Sequence, residues 1–252
     1  MSMKTLMRLQ LPALILCGLL LSLSCKKIKI DVPVLPDNSI NCDSLVDNAG
    51  NFKEIPNLNF EYWNRSSSGD YEDPVPNCFW ATPNKSNDII GSIPITVFKV
   101  RGDSAHSGQY GCMIKTSKWG TLIMSGTVAS GNFSPQLENP LQSIQFGKPF
   151  SKRVKEVRGW YKFWSVEQDS CSFYCYSLKK NLSNKWDTIG FSRIITHETR
   201  PDWTEFVLTP VYNSTDAPDK LVLYFASSEE GDELRGQAGN TLIVDDISVT
   251  YY

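Results

Sequence analysis

From Phe52 to the C-terminus the chain sustains no helical period. Apolar residues recur instead in short alternating or continuous runs divided by clusters of Gly, Pro, Asn, Asp and Ser. Alternation with period two is the mark of a β-strand, because successive side chains there face opposite sides of a sheet. Ten runs fit it: 58–63, 95–100, 110–116, 121–128, 154–166, 172–178, 188–195, 204–208, 221–227 and 241–251. They are rich in Tyr, Trp, Phe, Val and Ile, and no strand-helix alternation separates them, which excludes a parallel α/β sheet. The expected fold is all-β, an antiparallel two-sheet β-sandwich of jelly-roll type. With 41% hydrophobic residues in 252, the chain has enough apolar surface for a packed core.

The first residues have a different character. Lys4 and Arg8 precede an apolar run from Leu11 to Leu21, broken only by Pro12 and Gly18 and free of acidic residues. This reads as a secretory signal and is too short for a membrane span. It ends in LeuSerLeuSerCys, which resembles a bacterial lipoprotein signal with Cys25 as the lipidated first residue; ordinary cleavage with Cys25 incidental is the alternative. The expected organisation is a signal peptide over 1–24, lipidated Cys25 and a flexible tether over 25–51, with Pro33 and Pro36, and the sandwich over 52–252. The lipid would hold the protein at the outer membrane, on a face left open. Beyond Cys17 and Cys25 remain Cys42, Cys78, Cys112, Cys171 and Cys175, an odd number that specifies no disulfide framework. Cys171 and Cys175 share a strand, about 13 Å apart at Cα, too far for a bond and suited to small buried hydrophobes. The balance of 25 Lys+Arg against 27 Asp+Glu carries no electrostatic footprint for nucleic acid.

Two constellations carry chemistry. In the run from Val154, the residues Val157, Gly159, Tyr161 and Phe163 share one face, while Arg158, Trp160, Lys162 and Trp164 share the other. Cations alternating with indoles suit a sugar, whose ring presents apolar C–H faces and polar edges. The alternative is that the indoles pack while the cations snorkel to solvent. Trp63, Trp80 and Trp119, in or beside loops, are further candidate platforms. The second constellation is Asp245 and Asp246 in the apolar closing run, with side chains expected on opposite faces. A carboxylate turned inward needs a cation or several N–H donors. A calcium ion completed by oxygen donors of the Asn59–Trp63 segment and the Gly102–Tyr110 loop is one solution, and capping of backbone N–H groups at a bulge is the other. Glu138, Asp169, Glu205, Glu229, Glu230 and Asp232 could supply a glycosidase pair, yet no motif singles out two of them. Glu-x-Asp-x-x-Glu and Gly-x-Ser-x-Gly are absent.

AsnLeuAsnPheGluTyrTrp at 57–63, HisSerGlyGlnTyr at 106–110 and LeuIleValAspAsp at 242–246 resemble the first, middle and last strands of galactose-binding-like carbohydrate-binding modules. That resemblance implies a structural calcium at Glu61, the Ser107 region and Asp246, with Asp245 as the alternative. SerGlyAsnPhe at 130, PheGlyLysProPhe at 146, GlyTrpTyrLysPhe at 159, ProAspLysLeuValLeu at 218 and the stretch from Ser227 to Asp246 together resemble the putative carbohydrate metabolism domain of gut Bacteroidetes lipoproteins. The resemblance implies a glycan ligand and, as partners, other envelope proteins of a glycan-uptake system, without supplying a reaction. Three readings follow: a glycan-binding lipoprotein, a glycan-active hydrolase, and a structural or adhesive envelope protein.

Overall fold

The computed structural model describes residues 41–136, 142–233 and 235–252. The signal segment, Cys25 and the tether up to residue 40 lie outside the described residues. Among them a short helix α1 (Cys42–Leu45) precedes seventeen strands: β1 (Trp63–Arg65), β2 (Glu72–Pro74), β3 (Trp80–Ala81), β4 (Val97–Arg101), β5 (Tyr110–Lys115), β6 (Ser117–Trp119), β7 (Leu122–Met124), β8 (Thr127–Phe133), β9 (Ile144–Phe146), β10 (Lys148–Pro149), β11 (Val154–Trp164), β12 (Cys171–Lys180), β13 (Trp186–Thr196), β14 (Arg200–Leu208), β15 (Val211–Tyr212), β16 (Lys220–Ala226) and β17 (Thr241–Tyr251). One large sheet runs β15-β13-β12-β16-β8-β3, with β9 and β10 pairing off that path, and the other runs β14-β11-β17-β5-β4. All pairings are antiparallel. The protein is an all-β sandwich of jelly-roll type.

The core is where the inner faces of the two sheets meet. Phe173 and Phe225 of the larger sheet interlock with Tyr161 and Phe206 of the smaller, at centroid distances of 4.7 Å for Phe173–Phe206, 5.1 Å for Tyr161–Phe173 and 6.0 Å for Phe206–Phe225. Such tilted and edge contacts satisfy the ring quadrupoles. Gly159 makes room for them, since a Cβ there would stand 2.7 Å from the Phe206 ring. Cys112, Cys171 and Cys175 are reduced and buried, as the strand spacing of the last two requires.

Three expectations change. The run 58–63 is not a strand: Asn57 and Phe60 have φ of 52° and 48°. Asn57 Nδ2 donates to the Tyr62 and Val75 carbonyls, which coils the segment and drives Phe60 into the core. The run 121–128 breaks at Gly126, where a Cβ would sit 2.7 Å from the Lys115 N and Thr96 O atoms. The stretch read as the end of a tether belongs to the domain. Cys42 and Cys78 form a disulfide, Val46 bridges Phe52, and Leu45 and Val46 pack on the core. An odd cysteine count conceals a single bridge because nothing in the spacing says which thiols meet.

Candidate functional site

The outer face of the five-stranded sheet presents the alternating cations and indoles of β11, but loop 102–109 folds across it. His106 stacks on Trp160 at 4.4 Å and 11° and meets Trp203 edge-on at 5.3 Å. Lys162 Nζ donates to the Asp103 carbonyl at 3.2 Å and lies 5.0 Å from the Trp203 ring. Arg158 is clamped between Glu156 and Glu205. Trp164, 37% exposed, is the open indole of the quartet. The remaining tryptophans separate. Trp63 is half-buried and its indole N–H donates to the Phe60 carbonyl. Trp80 cannot be a platform: it is 2% exposed, packs on Phe60 and Phe79, and donates to the Pro56 carbonyl at 2.9 Å. Its place beside a predicted loop gave no sign that the loop closes over the core.

The acidic segments do converge. Between Arg158 and Trp160, β17 carries a bulge that sets Asp246 and Ile247 opposite one residue, and Asp246 takes φ of 46°. This turn redirects the second carboxylate, so both reach loop 102–109 where strict alternation would part them. Asp245 accepts from the His106 amide at 2.7 Å and from the Asp246 amide at 2.8 Å. Asp246 accepts from Ser107 Oγ at 2.9 Å and sits 2.6 Å from His106 Nδ1. Glu61 Oε1 accepts from the Gln109 and Tyr110 amides at 2.8 and 3.1 Å. Gly108 allows this, since a Cβ there would fall 2.0 Å from that oxygen. Capping of backbone amides at a bulge is therefore present. No three His, Cys, Asp or Glu side chains form a metal cluster among the described residues. Asp245 is nevertheless fully buried with no Lys or Arg ion pair among the described residues, and burial together with Asp246 pushes its carboxyl up to about 6.

The open surface lies on the other sheet. On β12, Phe173, Cys175 and Ser177 point into the core, so Tyr174, Tyr176 and Leu178 point out. Register brings Tyr174 beside Tyr224 of β16 and Tyr176 beside Phe191 of β13. Tyr174 and Tyr176 stack at 5.6 Å and 10°, Tyr176 meets Phe191 at 4.8 Å, and Tyr224 meets Phe146 at 5.6 Å. Phe146, Tyr174, Tyr176, Leu178 and Tyr224, with Thr188, Val222 and Glu229, line an open cleft of about 380 Å³. At one end the Tyr174 hydroxyl donates to Glu229 Oε1 at 2.5 Å. Burial and that bond hold the phenol well above its ordinary range, so it stays a hydroxyl. Beyond Phe146 and Tyr224 the cleft continues into an apolar pocket walled by Trp119, Ile90, Leu122 and Met124. Of the tryptophans nominated from sequence, Trp119 is the one brought to this surface. Period-two reading of 171–178 would have exposed the tyrosines, as it exposed the indoles of β11.

The family described as "Putative carbohydrate metabolism domain" matches residues 59–250. The chain belongs to that family. Among solved structures, the domain is similar to a "putative glycoside hydrolase" from Bacteroides thetaiotaomicron, with a TM-score of 0.64, 20% identity, and coverage of 77% of this chain and 70% of that one. A second protein of the same description from Bacteroides vulgatus gives a TM-score of 0.60 and 17% identity, covering 77% of this chain and 97% of that one. At these identities the likeness establishes the fold. No curated protein matches the chain. The family places the domain in a carbohydrate context, and its matched span contains both the Tyr cleft and the carboxylate node.

Proposed function

We propose that this putative carbohydrate metabolism domain is an exported glycan-binding module, holding an oligosaccharide on the outer face of the eight-stranded sheet. The observation that carries the reading is the file of half-exposed rings, Tyr174, Tyr176, Tyr224 and Phe146, along one open cleft in a sandwich whose other aromatics are mostly packed. Pyranose C–H faces can lie on such rings while Thr188, Glu229 and the phenol hydroxyls meet sugar hydroxyls. Among the described residues lining the cleft, Glu229 supplies the carboxylate, and its oxygen already accepts from Tyr174. Glycoside hydrolysis requires two carboxyl groups across the scissile bond, so this cleft favours retention over cleavage. Affinity electrophoresis through a panel of soluble plant and host glycans tests the reading. Wild type should be retarded by at least one of them without reducing-sugar release, and Tyr176→Ala should run free while Trp164→Ala stays retarded. Retardation lost in Trp164→Ala and kept in Tyr176→Ala would move the site to the five-stranded sheet, and turnover would make the protein a hydrolase.

Export and anchoring through Cys25 complete the reading. The Cys42–Cys78 bridge supports passage into an oxidising compartment, where disulfides persist. Cys25→Ala should release the protein from the outer-membrane fraction. Calcium is proposed at the carboxylate node: Asp245 is a buried carboxylate without an ion pair among the described residues, and Glu61 and Asp246 bring oxygen donors to the same loop, a donor set that suits this hard ion.

A further inference from the structure

The cleft does not end at the tyrosines. Following β12 outward from Tyr174, the same face continues through Tyr176 and Leu178 to Lys180, about 20 Å at the usual strand rise. At that far end Lys180 faces Trp186 across the β12–β13 pair, and Lys220 stands on β16 opposite Leu178. Lys220 Nζ lies 4.1 Å and Lys180 Nζ 5.8 Å from the centre of the Trp186 ring. The position of Lys220 is built. Its stem runs over Gly147, whose φ is 88° and where a Cβ would fall 2.3 Å from Lys220 Cδ, and it also lies alongside Val222. A Cβ at 147 would clash with the Lys220 stem, so the stem would have to shift.

The carboxylates nearest this end have other partners, although Asp219 also feels the Lys180 charge. Asp219 pairs with Lys179 at 2.7 Å and accepts from the Lys180 amide at 3.0 Å, and Asp187 accepts from Asn181 Nδ2. Neither Lys180 nor Lys220 is in an ion pair among the described residues, and the two cations act on each other: burial and then Lys180 lower the proton affinity of Lys220. The opposite end carries the Glu229 carboxylate beside Tyr174. The surface is therefore polarised along its length, acidic at one end and twice cationic at the other, in a chain whose overall charge is −2.

Resting on the glycan-binding reading, we infer that Lys180 and Lys220, held over Trp186, form a subsite for an anionic substituent of the bound glycan, a uronate carboxylate or a sulfate ester. The indole acts here as a pedestal that orients the ammonium groups, while the tyrosines carry the sugar rings. Lysine supplies compact point charges, so the subsite accepts a trigonal or a tetrahedral anion without the planar matching that a guanidinium would impose. Two ammonium groups outside any ion pair among the described residues favour a ligand bearing negative charge over its neutral counterpart.

The test uses the purified full chain in affinity electrophoresis and calorimetry. Polygalacturonate is compared with its fully methyl-esterified form, and dextran sulfate with dextran, at low and moderate salt. The charged member of at least one pair should bind ten-fold or more tightly, and the better pair identifies carboxylate or sulfate. Lys180→Gln/Lys220→Gln, with an unchanged melting temperature, should erase that preference and its salt dependence while leaving binding of the neutral form intact. A control pair on the other sheet, Lys115→Gln/Lys155→Gln, should leave the preference in place. Equal binding of charged and neutral forms, an unaffected Lys180/Lys220 variant, or an equal loss in the control pair would overturn the subsite while the glycan reading stands. If neither these polymers nor the wider glycan panel is retained, both fall.

Discussion

Removing the Cys42–Cys78 bridge should cost the domain much of its stability. The bridge closes a segment 36 residues long with Cα atoms 6.3 Å apart, and Phe52, Ile55 and Phe60 of the core lie inside the loop. Because these three anchor the loop to the sandwich, it cannot open independently of the core, and cross-linking acts on the global unfolding equilibrium. The chain-entropy relation for a loop of that length gives about 4 kcal/mol of stabilisation through restriction of the unfolded chain. For a domain of this size that corresponds to a loss of about 8 to 15 °C in melting temperature. The assay is thermal unfolding by circular dichroism of wild type with and without reductant, alongside Cys42→Ser/Cys78→Ser. The reduced wild type and the double variant should coincide, and reductant should do nothing further to the variant, since Cys112, Cys171 and Cys175 are buried thiols. A shift smaller than about 3 °C would refute the argument, because the loop would then unfold separately from the core.

Three other measurements bear on the fold and the node. Trp80→Ala should destabilise by about 3 to 5 kcal/mol, the usual cost of truncating a packed aromatic, whereas Trp164→Ala should cost about 1 kcal/mol or less; equal losses in urea titrations would contradict their different burial. Asp73, buried and bonded by Thr82 and Asn84, has its carboxyl raised by desolvation from 3.8 to about 6. The folded state therefore holds this proton more tightly than the unfolded one, so the contribution is fully present below about pH 4 and is lost as pH rises through about 6. Wild type should gain about 1 kcal/mol relative to Asp73→Asn between pH 7 and pH 5, and a difference that stays constant with pH would count against the shift. For the node, a calcium chelator should lower the melting temperature of wild type, and Glu61→Gln or Asp246→Asn should abolish that response; a chelator-insensitive wild type removes the ion.

Alternation along the chain determined more than the fold class. It placed eight of the expected runs on observed strands and set the inward and outward residues of β11, because the face a side chain takes within a strand is a local property of the pleat. The resemblance of three short segments to carbohydrate-binding modules named Glu61, Ser107, Asp245 and Asp246 as a group, and these residues do meet at loop 102–109. Tertiary structure decided the rest. Whether an outward residue stays open depends on what packs above it: loop 102–109 covers Trp160 and Lys162, while no described segment closes over Tyr174 and Tyr176. The bulge with Asp246 at positive φ overrides the alternation that would have parted the two carboxylates. Cys42 found Cys78, and Lys220 of β16 found Trp186 of β13, across separations that no local pattern encodes. Pairing register and loop placement are properties of the whole packed sandwich, so the surfaces that meet a ligand become legible only once the sheets are assembled.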